Sequence, residues 1–205
     1  MFEGLPDSGS CADLDDAAVV AGIECWMRAV AMAAGHRLAL VAELTSRRYD
    51  EDWEIAEEAC DGWDCAAAEV SAASGISHGR ASGDMEVADA LCSRLPRVGA
   101  LLMAGGISES LARVIVRRTV LVQDPEVLAQ LDAAIAECAV SWGVLSRKKL
   151  EAAVDVRVDR LDPGALVQTR ARVRDREVWF GESRAGVTEM AARLSSTDAD
   201  LVSGG

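Results

Sequence analysis

An apolar stripe runs unbroken along the first quarter of this chain. Ile23, Met27, Val30, Ala34, Leu38, Val41 and Leu44 recur at steps of three and four residues, the repeat that lays side chains along one face of an α-helix. Asp13, Asp15 and Asp16 crowd one end and Arg47 and Arg48 the other, the polarity a helix macrodipole favours. The pattern predicts one helix over 12–48, about ten turns long. Gly22 and Gly35 fall inside it, each costing about 1 kcal/mol against Ala, so a kink is expected near one of them. Such a stripe must pack on later helices of its own chain or on a second copy. Ile23, Met27, Val30, Leu38, Val41 and Leu44 are accordingly a candidate oligomer face, with a homodimer as the candidate assembly.

The rest of the chain agrees with helices. Half of its 205 residues are hydrophobic and only 4% aromatic, a composition that suits close-packed helices rather than the β-branched and aromatic strands of a sandwich or barrel. The formal charge is -13, from 21 basic and 34 acidic side chains. Residues 1–74 carry 4 basic against 16 acidic residues, a net of -12, and residues 75–205 carry 17 against 18, a net of -1. Nucleic acid is repelled by the molecule as a whole, so any DNA contact must be local and in the later part. Glu24, Arg28, Arg37 and Glu43 interrupt the most apolar stretches and no signal-like start precedes them. No membrane span is expected, and a cytoplasmic location with reduced cysteines follows.

After an acidic connection, punctuation marks a series of shorter helices. Trp63–Ser74 ends at Gly75, a residue suited to the left-handed turn that closes helices. His78–Leu95 carries Met85, Ala88, Leu91 and Leu95 on one face before Pro96. Pro96–Ala104 stops at Gly105 and Gly106. Ser108 starts a helix to about Val122, Asp124 and Pro125 start another, and Ser146 starts the last, with Leu150, Val154, Val158 and Leu161 in register. The fold class is mainly α: a multi-helix bundle with one long N-terminal helix and a small C-terminal β-hairpin or strand pair around Glu177–Phe180 and Val187–Leu194. Residues 1–11 read as a disordered N-terminus, 12–165 as the helical domain and 166–205 as a small α+β tail that can be incomplete at its end.

Gly75, Ser77 and Gly79 match the GxSxG elbow of serine hydrolases, but that elbow follows a strand and needs a later histidine. Helical residues precede it here, and the chain's two histidines are His36 and His78. A capping serine accounts for the same residues. Gly75-Ile76-Ser77 with Ala81 recurs as Gly106-Ile107-Ser108 with Ala112, a repeated joint of helix-ending glycine, apolar staple, capping serine and small buried residue. The first joint also has the spacing of a DNA-reading helix-turn-helix over residues 66–90, placing Ser77, His78 and Arg80 at the groove, although Asp84 and Glu86 share that helix. Arg170, Arg172 and Arg174 alternate and form a second candidate DNA contact, set against a solvated face paired to Asp175, Glu177 and Glu182. No catalytic triad, metal-ligand set or nucleotide loop is complete, so no catalytic residue, metal, cofactor or small-molecule substrate is assigned.

Five ordered motifs carry a family likeness: Gly75–Ala81, the LxxRLP of Leu91–Pro96, the AGGIS of Ala104–Ser108 with Ala112 beyond, Asp124–Glu126, and the DRLDPGA of Asp159–Ala165. Together they resemble the actinobacterial 13E12 repeat family over roughly residues 15–200, whose N-terminal helical region is domain of unknown function 222. The resemblance implies a helical region followed in typical members by an HNH nuclease domain, with some members tied to mobile or repeated DNA elements. An HNH centre needs metal-binding histidines, and His36 and His78 both lie upstream of where that unit would stand. The expectation is a non-catalytic accessory domain serving assembly or DNA placement, with a helix-turn-helix DNA-binding protein and a protein-interaction module without a DNA role as alternatives.

Overall fold

In a computed structural model of the chain, which describes residues 9, 11–52, 62–164, 177–180 and 190–193, the long helix α1 runs from Asp16 to Asp52. Its start is later than the sequence suggests because Cys11–Asp13 closes as a single 3-10 turn and the Asp15 carboxylate then accepts the Ala18 amide at 2.8 Å, a capping bond for an otherwise orphan donor. The helix is continuous through Gly22 and Gly35, so neither glycine breaks it. Gly35 has a different use: a Cβ there would stand 2.8 Å from the Met103 amide nitrogen and 2.9 Å from its Cα. The missing side chain lets the end of a later helix lie against α1.

Among the described residues six more α-helices follow: α2 Gly62–Ser74, α3 His78–Asp89, α4 Pro96–Met103, α5 Glu109–Thr119, α6 Pro125–Ala139 and α7 Arg147–Leu161. The periodicity expected through Leu95 is interrupted, because Ala90–Arg94 widens into a π turn in which the Leu95 amide reaches back to the Ala90 carbonyl at 2.8 Å. Pro96 then supplies no donor and opens α4 at its first position. The α4 N-terminus is capped from a distance: Asp132 on α6 accepts the Arg97 and Val98 amides at 2.9 and 3.1 Å. Asp124 caps α6 as expected, accepting the Glu126 and Val127 amides.

Helix α1 packs on α2, α3 and α4; α4 packs on α6; and α7 lies against both α5 and α6. One apolar core joins them. Alanine sets the close spacing, with Ala66, Ala67, Ala81, Ala88, Ala112 and Ala139 wholly buried among larger anchors such as Leu38, Met85, Ile115, Leu131 and Ile135. Trp142, near the end of α6, lies under the Arg157 guanidinium, 4.6 Å from ring centre to carbon. Cys25, Cys92 and Cys138 are free thiols. Two short strands, β1 Glu177–Phe180 and β2 Met190–Arg193, pair antiparallel with Glu177 opposite Arg193. The segments that join and flank them, and with them the expected α+β tail as a unit, lie outside the described residues.

Candidate interaction surfaces

The joint between α2 and α3 is built by a left-handed glycine. Gly75 takes φ +65°, the Ile76 amide returns to the Ser71 carbonyl at 3.2 Å, and the Ser71 hydroxyl donates to the Ile76 carbonyl at 2.6 Å. Ser77 sits at the cap position of α3 in extended backbone, but its side chain makes no capping bond. The second joint differs. There the left-handed residue is Gly105, φ +72°, not Gly106, and a Cβ at Gly105 would meet the Arg28 carbonyl oxygen of α1 at 2.8 Å. Ser108 does cap, accepting the Leu111 amide at 3.3 Å. The repeated sequence is therefore not a repeated backbone, although Ala81 and Ala112 are both fully buried at equivalent steps.

Ser77, His78 and Arg80 stand exposed together on the first turn of α3. His78 Nε2 lies 3.4 Å from the Asp64 carbonyl and 3.9 Å from its carboxylate. The alternating Arg170, Arg172 and Arg174 lie outside the described residues. Of the two acids counted against DNA contact, Glu86 is exposed, whereas Asp84 turns inward and is only 3% exposed.

Asp84 is the centre of an ion network that sequence spacing did not signal, since its members come from three helices. Arg37 of α1 donates to one Asp84 oxygen at 2.7 Å and Arg113 of α5 to the other at 2.5 Å. Glu109 takes a bond from each arginine, at 3.2 and 2.6 Å. Burial pushes the Asp84 carboxyl up, yet the hydrogen bonds and charges of Arg37 and Arg113 outweigh it and hold the group below its usual value. The network clamps α1, α3 and α5 together; it leaves no uncommitted carboxylate for acid–base work.

Beside it, a cleft of about 830 Å³ opens between α3, α5 and the α6–α7 connection. Val87, Leu111, Val114, Trp142 and Leu150 floor it, with Arg94, Arg117, Arg147, Glu86 and Asp89 at the rim. The volume is that of a small-ligand pocket, but its cations are engaged. Arg94 donates to the carbonyls of Thr119 and Val122 at 3.0 Å, and Arg117 and Arg147 share Glu151. No three His, Cys, Asp or Glu side chains gather as a metal-binding set among the described residues.

The stripe on α1 divides in two. Leu38 and Val41 are 2% and 6% exposed and belong to the chain's own core, with Leu44 packed at its edge. They are spent within this chain and do not form part of a free oligomer face. Ile23, Met27 and Val30 are 58%, 58% and 60% exposed, and Val20 beside them is 56% exposed. Asp16–Tyr49 is, by length and composition, apolar enough to cross a membrane, with 17% of its most apolar window buried. That corrects the expectation that no segment could qualify: Glu24 and Arg28 interrupt the stretch without lowering its mean hydropathy below the range of spanning helices.

A family model described as "Domain of unknown function (DUF222)" matches residues 26–203. Among curated relatives, a Mycobacterium tuberculosis protein named "Uncharacterized protein in est 3'region" is 49% identical over 205 residues, covering 98% of this chain and 58% of its own length. "Uncharacterized protein Rv3776" and "Uncharacterized protein Rv2100", from the same organism, are also 49% identical across 98% of this chain, and the match covers 39% and 37% of them. The chain thus spans less than two thirds of each. No solved structure matches it.

Proposed function

The chain belongs to the DUF222 family, and from that premise we propose that it is a helical accessory module of HNH-endonuclease-like proteins associated with mobile elements, without cleavage activity of its own. Its work is assembly. One observation carries this: relatives match this chain from end to end while the match leaves 42% to 63% of their own length uncovered, as 58% and 37% coverage imply. The same folded unit is combined with further sequence in those proteins. An alanine-packed bundle bearing an exposed apolar helix face is suited to holding such parts together. The HNH association itself rests on the motif resemblance.

A second reading is DNA placement through α2 and α3, favoured by the joint exposure of Ser77, His78 and Arg80 and by the inward turn of Asp84. Fluorescence anisotropy with random and element-derived duplexes over a salt series separates the two. The assembly reading expects no sequence-specific binding by the purified chain at physiological salt. Specific binding that falls about tenfold in Arg80→Ala, the size of one lost charge-assisted contact, would replace assembly with DNA placement.

A further inference from the structure

We propose that the free half of α1 pairs antiparallel with the same segment of a second copy of this chain. The inference rests on the assembly reading and names the partner. Val20, Ile23, Met27 and Val30 fall at steps of three, four and three, the a and d positions of two consecutive heptads. All four are more than half exposed. The spacing is symmetric about the point between Ile23 and Met27. An antiparallel copy therefore sets Val20 against Val30 of the partner subunit and Ile23 against Met27 of the partner subunit, and the same contacts repeat by two-fold symmetry.

Area, length and charge all favour a second helix over other covers. The exposed parts of Val19, Val20, Ile23, Met27 and Val30 on two copies, with the stems of flanking side chains, come to roughly 1,000 Å², the floor for a specific interface. A bilayer fits poorly. The stretch 16–30, whose apolar stripe is exposed, is about 22 Å long at 1.5 Å per residue, short of the roughly 30 Å hydrocarbon layer, and it carries Asp16, Glu24 and Arg28. The following turns cannot lengthen it because Ala31, Ala34, Leu38 and Val41 are buried under α2, α3 and α4. Adsorption to an anionic lipid surface is opposed by Asp13, Asp15 and Asp16, where such helices carry basic flanks. The same acids choose the orientation. A parallel pair would stack the two acidic ends, whereas an antiparallel pair holds them about 30 Å apart, well beyond the screening length of about 8 Å at physiological salt.

The test is sedimentation equilibrium on the whole chain and on Ile23→Glu/Met27→Glu. Both positions are exposed, so circular dichroism of the variant should match that of the parent. Orientation is read by mixing Val20→Cys and Val30→Cys chains in which the exposed Cys11, Cys25 and Cys92 are replaced by serine, oxidising them and identifying the joined peptides. The proposal expects a mass of two chains in the micromolar range, at least about tenfold weaker association in the double variant, and links predominantly between positions 20 and 30. A single-chain mass throughout, a double variant that still pairs, or links predominantly 20 to 20 and 30 to 30 would overturn it. So would co-flotation with phosphatidylcholine–phosphatidylglycerol vesicles, which would give the face to lipid. The assembly reading falls separately, by specific DNA binding or by cleavage, neither of which depends on this mass.

Discussion

Replacing Arg37 and Arg113 together by alanine is expected to cost about 3 to 5 kcal/mol of folding stability, the range for stranding one member of a buried ion network. The arginine side chains are 38% and 31% exposed, but the Asp84 side chain is 4% exposed, so the expense lies in the carboxylate they leave behind. Single replacements should cost less, because the remaining arginine still holds one oxygen of Asp84. The effect should depend on pH with opposite signs in parent and variant. In the parent the Asp84 carboxyl is held below its ordinary value of 3.8. A depressed carboxyl adds stability above the unfolded value, and that stability drains away as pH falls through about 3.8 towards the folded value. In the double variant burial acts alone and raises the folded pKa, so the penalty is largest at neutral pH and shrinks on acidification. Urea midpoints at pH 7 and pH 5 should therefore differ more between the two proteins at pH 7. An equal or smaller difference there would show that Asp84 is not the buried charge that the arginines neutralise.

The second large effect is a reversal between two helical glycines. Gly35→Val should destabilise by about 3 kcal/mol, at the upper end of overpacking costs, because its branches would press on the Met103 backbone rather than on a flexible side chain. Gly83→Ala should stabilise by up to about 1 kcal/mol, the propensity difference, since nothing lies within 4 Å of a Cβ built there. Thermal melts of the two variants check the signs. A neutral Gly35→Val would mean that α1 and α4 do not meet at this point.

Residue patterns foretold the helices far better than their associations. Asp124 with Pro125, Met85 with Ala88, and Leu150 with Val154 and Val158 are local signals, decided by caps and by the 3.6-residue period, and each marks an element that forms. The α1 stripe could not be divided in advance, because Ile23 and Leu38 are equally apolar and differ only in whether α2, α3 and α4 reach them. Gly35 looked like a weak point in a helix and is instead a crossing; the missing side chain has meaning only beside Met103. Gly105 and Gly106 are adjacent and chemically identical, and the approach of Arg28 from α1 selects the first. Asp84 reads in the sequence as an acid on the candidate DNA-reading helix, and its inward turn depends on Arg37 and Arg113, 47 and 29 residues away. The cleft beneath Arg117 and Arg147 draws its walls from four parts of the chain and left no linear trace. What the sequence did carry for function was the motif order, which places the chain in its family but says nothing of which surface works.

Whether this chain is an accessory module or part of the cutting machinery is decided on supercoiled plasmid. The purified 205-residue chain is incubated with DNA and Mg²⁺, Mn²⁺ or Zn²⁺, and the relaxed and linear forms are measured against a protein-free control. The plasmid is expected to stay supercoiled with every metal. Metal-dependent nicking that follows the protein through purification and is abolished by chelator would contradict it.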